Sequence, residues 1–256
     1  LSDDHMVFGI IRENLLEMKR KFGDKRRTQI IQQMQDFTNE DLIAEEDIVI
    51  TITHSGYVKR QPIDTYRSQK RGGRGIQGAG TKEEDFVEHL FTSTTHHHVF
   101  FFTSRGRVFV LKGYELPEAS RTARGTAIIN LLSLQPDEKV TTVIPIREFV
   151  EGAFLFMGTR NGIVKKTNLL EFDSVRKNGL IAIGLDDDDD LIGVKLTDGC
   201  QTIIMGTRDG MAITFSEEDV RPVGRSARGV KGINLQEMDA IVGMEIMTPN
   251  SQVLVV

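Results

Sequence analysis

The sequence predicts an all-β array of propeller-like, four-stranded blades preceded by a short α-helical tail, and three observations carry that prediction. Short β-branched and aromatic runs, paired across Thr-x-x-Gly turns, recur four times after Asp36. The turn glycines Gly56, Gly106, Gly162 and Gly210 are spaced 50, 56 and 48 residues apart. Behind each lies a second glycine with basic residues just before it: Gly75, Gly125 and Gly229 at 19 residues and Gly179 at 17. A period near 50 with four strands per unit is that of a blade array. A solenoid would need a helix or a long parallel rung where this sequence has glycine-punctuated hairpins.

The 256 residues allow one or two domains with a substantial core. Hydrophobic content of 39% and charged content of 27% are those of a soluble globular protein. No apolar run approaches the roughly 20 residues that span a bilayer, and no signal-peptide pattern opens the chain. The expectation is a cytoplasmic protein with no membrane role. Cys200, the single cysteine, has no intrachain partner and is expected to be a small buried hydrophobe. The net charge of −5 is unevenly spread. Acidic residues gather at 40–47, 83–88, 186–190 and 217–219, which leaves the basic loops as separate positive patches.

Residues 1–36 form the tail. Val7, Ile11, Leu15, Met18 and Phe22 make one apolar stripe on a helix that Gly23 stops. The stripe is expected to pack on the tail's own domain, because the polar face mixes both charges rather than presenting a basic membrane face. Asp24-Lys-Arg-Arg-Thr28 is read as the start of a short second helix to about Met34.

Residues 37–256 are read as a partial blade array, about four blades and the start of a fifth. Ile48 to Thr53 and Tyr57 to Arg60 form the first hairpin, Val99 to Phe102 and Arg107 to Val110 the second. Phe154 to Met157 with Ile163 to Lys166 form the third, and Thr202 to Met205 with Met211 to Phe215 the fourth. Asn161-Gly162 and Asp209-Gly210 predict type I′ turns. A third strand in each unit follows an acidic residue: Asp85, Glu138, Asp190 and Asp239. Val253-Leu-Val-Val256 aligns with the strand before a fifth turn.

The basic loops carry the functional signal. Ser68 to Gly75 reads Ser-Gln-Lys-Arg-Gly-Gly-Arg-Gly: Lys70, Arg71 and Arg74 alternate with Gly72, Gly73 and Gly75. Nothing within the segment neutralises these cations, and its pliable backbone can press N–H groups and guanidinium groups onto a phosphate together. The equivalent loops offer Arg121 and Arg124, then Arg176 and Lys177, then Arg225, Arg228 and Lys231, with Arg67, Lys165 and Lys166 nearby. Recurring once per blade, such loops would line one edge of the array, as a bent duplex requires. These side chains would contact phosphate and position DNA. With no recognition helix for the major groove, sequence preference would come from deformability.

Gln69 to Gly75 resembles the signature heptapeptide Gln-Arg-Arg-Gly-Gly-Lys-Gly of the DNA gyrase A subunit family, among the type IIA DNA topoisomerases. Lys70 and Arg74 exchange Arg for Lys and Lys for Arg relative to that pattern, which keeps charge but not bidentate geometry. The resemblance covers the chain: Phe22 to Thr28 is similar to the end of the family's breakage-reunion domain, and the repeats are similar to its β-pinwheel. It implies a domain of six blades, of which this chain holds about two thirds, that wraps duplex DNA chirally so that the whole enzyme introduces negative supercoils at the expense of ATP. The catalytic tyrosine and its partner arginine would lie upstream of Leu1, so no catalysis and no cofactor belong to this chain. ATP and Mg would serve the holoenzyme, whose other members are a second A subunit and the gyrase B subunit. Two alternatives stay open at this point. One is the C-terminal domain of a topoisomerase IV A-type subunit, where the heptapeptide is degenerate or missing. The other is a propeller-like protein-interaction module. An enzyme with a site in the central channel finds no recurring His/Asp/Glu constellation.

Other signals are read as structural. His96-His-His98 sits in a hairpin where adjacent rings cannot easily face one metal ion. Asp186 to Asp190 lacks the alternating spacing of a calcium loop and is read as a solvated inter-blade loop. Tyr57, Tyr66 and Tyr114 have no nucleophile-activating partners in the sequence pattern, and Gly72-Gly-Arg-Gly75 is not a P-loop.

Overall fold

A computed structural model describes residues 4–24, 28, 39–66, 71, 85–175, 178–248 and 252. The chain forms two compact units, Leu1–Leu42 and Ile43–Val256.

In the first unit, helix α1 (Asp4–Phe22) places Asp4 in its first turn and Lys19, Arg20 and Lys21 in its last, matching the helix dipole at both ends. Gly23 closes it with an N–H donated to Lys19 O at 2.9 Å. None of its residues is buried, and Ile11, Leu15, Met18 and Phe22 of the stripe are exposed. The expectation of packing on its own domain is therefore corrected. The expected second helix falls mostly outside the described residues. Among the described residues no helix is long and apolar enough to cross a membrane.

The second unit is nearly all β. Its strands are β1 (Asp47–Thr53), β2 (Tyr57–Pro62), β3 (Val87–Thr94), β4 (His98–Thr103), β5 (Arg107–Lys112), β6 (Thr126–Ala127), β7 (Val140–Ile146), β8 (Phe154–Thr159), β9 (Ile163–Asn168), β10 (Leu180–Ile181), β11 (Leu191–Thr197), β12 (Thr202–Thr207), β13 (Ala212–Ser216), β14 (Val230–Lys231) and β15 (Ile241–Met247). They form antiparallel sheets in the orders β3-β1-β2-β6, β10-β5-β4-β7, β11-β8-β9-β14 and β13-β12-β15. The predicted hairpins are all present. What repeat counting does not supply is the fourth strand: β6, β10 and β14 each come from the following repeat and pair with the second hairpin strand of the blade before it. Each of these three blades is thus finished by its neighbour's chain.

Burial explains why the first hairpin strands read as apolar runs. In β4, Val99 and Phe101 pack toward the first blade while Phe100 and Phe102 pack toward the third, and all four are fully buried. In β8, Leu155 and Met157 face the second blade and Phe156 the fourth. Strands covered on both faces lose the polar alternation of a half-exposed strand. The third strands meet at the inner side: Val194 N of β11 donates to Thr142 Oγ1 of β7 at 3.2 Å, and Lys195 of β11 pairs with Glu245 of β15 at 2.6 Å. The borrowed strands consequently lie at the outer rim.

The hairpin turns correct one expectation. Each turn is closed by a glycine N–H donated to the threonine carbonyl three residues back, and that threonine's buried Oγ1 accepts from the N–H four residues on, as in Thr159 with Ile163 at 3.1 Å. Among the described residues only Asp137 and Met238 take positive φ without being glycine, so Asn161 and Asp209 do not form type I′ turns. The left-handed residue comes last, as in three-residue hairpin loops.

The acidic residue before each third strand staples its own turn. Asp85 accepts from Ser55 N at 2.9 Å and Asp239 from Asp209 N at 3.1 Å. In the third repeat Asp189 does this, accepting from the N–H groups of Asn161 and Asp190 at 2.9 Å each, and it is only 5% exposed. Asp190 directly precedes β11 as the sequence reading has it, the staple is its neighbour Asp189, and the expectation of a solvated 186–190 loop is corrected at that residue. Asp189→Ala is expected to destabilise by about 1–3 kcal/mol, because buried N–H groups lose their acceptor. Asp190→Ala should stay within about 0.5 kcal/mol. Thermal melting distinguishes them, at about 2–4 °C per kcal/mol.

Cys200 is exposed, which corrects the buried-hydrophobe reading. It stands in the turn between β11 and β12, where its thiol donates to Asp198 Oδ1 at 3.3 Å, and that carboxylate pushes the thiol pKa up.

Candidate nucleic-acid interface

The rim loops are built by a detour in the borrowed edge. The second repeat's chain reaches β2 opposite Arg60, in a bridge with Glu118, and rejoins it opposite Val58 and Tyr57 as β6. Between these points residues 119–125 arch over Lys59. The fourth repeat does the same: Pro222 bridges Lys166, β14 pairs with Ile163 and Val164, and 223–229 arch over Lys165. Arg121, Arg124, Arg225 and Arg228 ride on these two arches.

Glycine lets the arches close down. Gly229 has φ +100° and a Cβ on it would lie 2.4 Å from Val164 O; Gly125 has φ +93° and its Cβ would lie 2.5 Å from Val58 O. No side chain fits between arch and strand.

Beneath each arch is a buried lysine. Lys59, 1% exposed, donates from Nζ to the carbonyls of Ser120 (3.3 Å), Arg121 (2.7 Å) and Ala123 (3.0 Å), so all three ammonium protons are used. Lys165, fully buried, donates to Ala182 O at 2.7 Å and to Arg225 O. Lys166, 4% exposed, donates to Glu217 O at 2.7 Å and lies 5.3 Å above the Phe154 ring. The expectation that Lys165 and Lys166 contact phosphate is corrected, since both ammonium groups are turned inward and taken up by carbonyls. Lys59 is not among the residues that sequence reasoning singles out, although a signal for it exists. Lys59 and Lys165 both stand three residues after a turn glycine, where the second and fourth repeats carry Phe109 and Ile213.

The arch arginines differ in how free they are. Arg121 Nε and Arg225 Nη1, at equivalent positions, are buried donor atoms without a hydrogen-bond partner. Arg124 stacks 4.8 Å from the Tyr57 ring centroid and donates to its hydroxyl at 3.2 Å. Arg228 pairs with Asp186 at 2.7 Å, both side chains well exposed, an interaction of little strength that a phosphate can replace. Lys231 and Arg71 are exposed. Arg67, Gln69, Lys70, Gly72, Gly73, Arg74, Gly75, Arg176 and Lys177 lie outside the described residues.

The three histidines have separate partners. His96 Nε2 bonds Ile43 O at 2.8 Å, His97 Nδ1 bonds Ser93 Oγ at 3.2 Å, and the His98 ring meets Phe149 edge-on at 5.1 Å. Among the described residues no group of three or more His, Cys, Asp or Glu is placed to hold a metal ion.

Burial pushes the Lys165 pKa down to about 8, with Glu171 opposing and Arg225 reinforcing the shift. The unfolded lysine keeps its proton to about pH 10.4, so between these values the unfolded chain binds more protons and stability rises with pH. From pH 7.5 to 9.5 the parent is expected to gain on the order of 1–2 kcal/mol relative to Lys165→Met. Urea unfolding of both proteins at the two pH values measures it.

The family model described as DNA gyrase C-terminal domain, beta-propeller, matches residues 47–94, 97–147, 153–198 and 201–246, one match per blade. The chain belongs to this family. Among curated relatives, the A subunit of DNA gyrase from Halalkalibacterium halodurans is 56% identical over 234 residues, covering 91% of this chain and 28% of the relative. Its counterpart in Clostridium acetobutylicum is 54% identical over 232 residues with the same coverages, and that of Staphylococcus aureus is 47% identical over 260 residues, covering 100% and 29%. The chain therefore spans less than a third of the length of these relatives. Of solved structures, the C-terminal domain of a DNA topoisomerase IV is similar with TM-score 0.72 and 34% identity over 81% of this chain and 63% of that one. A DNA gyrase A C-terminal domain gives TM-score 0.59 and 25% identity over 78% and 65%. The β-pinwheel is the fold common to both.

Proposed function

We propose that this chain is the DNA-wrapping part of a gyrase A subunit, binding duplex DNA along the outer rim of its blades and bending it with a fixed hand. One observation carries the reading: basic arches recur at equivalent rim positions, with Arg121 and Arg124 on one and Arg225 and Arg228 on the other. A cationic rim, with Arg121, Arg124 and Arg225 half-buried and Arg228 and Lys231 exposed, suits a polyanion that bends around it. The relatives at 47–56% identity are gyrase A subunits, and the near-complete heptapeptide at 69–75 favours gyrase over topoisomerase IV. In the holoenzyme the chain would work with a second A subunit and with the gyrase B subunit in the bacterial cytoplasm, where ATP and Mg would drive negative supercoiling. Strand cleavage would belong to the preceding part of the protein, and this chain would contribute the geometry of the DNA.

The test is topological. The chain is bound to nicked circular DNA, the nick is sealed with ligase, the protein is stripped and linking number is counted. A positive shift is the expected result. Binding without a shift would reduce the chain to a DNA-binding module, and absence of salt-sensitive binding would favour a protein-interaction role.

A further inference from the structure

We propose that Lys59 and Lys165 are positioning residues for DNA wrapping: each buried ammonium draws the carbonyls of the next repeat's arch inward, which turns the arch's N–H groups outward toward phosphate. The inference rests on the wrapping function proposed above and assigns that function a second set of donors besides the arginines.

The geometry follows from the peptide unit. In a trans peptide the C=O and the N–H of the following residue point in opposite directions. With the carbonyls of Ser120, Arg121 and Ala123 aimed at Lys59 Nζ, the N–H groups of Arg121, Thr122 and Arg124 are aimed away from it. The neighbouring N–H of Ala123 is used inside the arch, donating to Ser120 O at 3.1 Å. Successive N–H groups facing one way form an anion-binding concavity, here flanked by the guanidinium groups of Arg121 and Arg124. In the fourth repeat Arg225 O is taken by Lys165, which directs the Ser226 N–H away in the same manner. Lys165 also faces Glu171, whose carboxylate accepts the Arg225 N–H at 3.2 Å, so charge and hydrogen bonds fix that arch from two sides.

The second blade shows what happens without the lysine. Phe109 fills the position, and Gly179 of the third repeat is held against its ring, where a Cβ would come within 2.6 Å of the ring edge. A ring offers no protons to carbonyls, and the contact to this segment comes instead from the strand's Arg107, whose Nη2 donates to Asn178 O at 3.1 Å beside the ring. The carbonyls held by a buried lysine are those of the arches over blades one and three.

The experiment compares the parent chain with the double variant Lys59→Met, Lys165→Met, using the nicked-circle assay at saturating protein and the salt dependence of duplex binding. The Met stems preserve packing and remove the ammonium groups. The expected result is a linking-number shift at least halved, with the log–log salt slope reduced by about 2–4, at about 0.9 for each phosphate no longer engaged. Ile50→Val, a core change away from the rim, controls for lost stability and should leave both readouts unchanged. A double variant that shifts linking number like the parent overturns the positioning role and leaves the wrapping function standing. A parent without any shift overturns both. Hydrogen exchange on the parent tests the proposal independently of whether the variant folds: duplex DNA should slow the amides of Arg121, Thr122, Arg124 and Ser226, and unchanged exchange at all four overturns it.

Discussion

Replacing Lys70, Arg71 and Arg74 together by alanine is expected to abolish the linking-number shift while leaving the blades folded. The three side chains bring three cations onto a glycine-rich segment, and each phosphate released lowers the log–log salt slope of duplex binding by about 0.9, or close to 3 in all. Arg71, the member of the segment whose surroundings the structure describes, is exposed. Exposed loop substitutions of this kind change stability by about 0.5 kcal/mol or less. Binding, wrapping and melting should therefore part company, with affinity reduced, the topological shift absent and the melting temperature unmoved. A triple variant that melts well below the parent would make the segment structural, and the lost shift would then say nothing about phosphate. An unchanged shift would place wrapping on the arches over blades one and three.

Gly229→Ala should damage the fold severely. Two costs combine. A backbone φ of +100° lies outside the comfortable range of any side chain, and the new Cβ would meet the buried carbonyl of Val164 at 2.4 Å, where the obstacle is a hydrogen-bonded strand rather than a flexible side chain. Together these amount to about 3–5 kcal/mol, which lowers the melting temperature of a unit of this size by about 10 °C. Gly210→Ala separates the two costs, since Gly210 has φ +87° but open space around its Cβ, and it should lose only about 1–2 kcal/mol. Scanning calorimetry on both variants measures the difference. Equal losses would mean that the arch does not press on β9.

Most of the architecture is legible in the sequence because the signals are local. The Thr-x-x-Gly turns, the apolar runs of β4 and β8 and the recurring basic segments each sit within a few residues, and a period near 50 links them. Errors arise where the deciding partner is distant or where one residue's conformation decides. Asn161-Gly162 and Asp209-Gly210 look like type I′ turns until φ shows that only the glycine is left-handed. Asp189 and Asp190 are indistinguishable as sequence, and only the packing of the turn against β11 selects Asp189 as the staple. Cys200, apolar by habit, ends in an exposed turn beside Asp198.

The lysines mark the boundary most clearly. Lys165 and Lys166 stand in a basic stretch after a tight turn, which in one dimension reads as an exposed charge pair. Whether an ammonium meets water, phosphate or carbonyl depends on what crosses above it, and here a segment about 60 residues further along the chain crosses above Lys165. The sequence by itself determined the repeat, the hairpins, the basic segments and the family, because these rest on short-range pattern. Only the tertiary structure decided that a blade is completed by the next repeat, that its edge arches over a strand, and that a buried lysine turns the arch's carbonyls inward. Those facts come from strand exchange between repeats, and a pairing between residues tens of positions apart leaves no local trace in either partner.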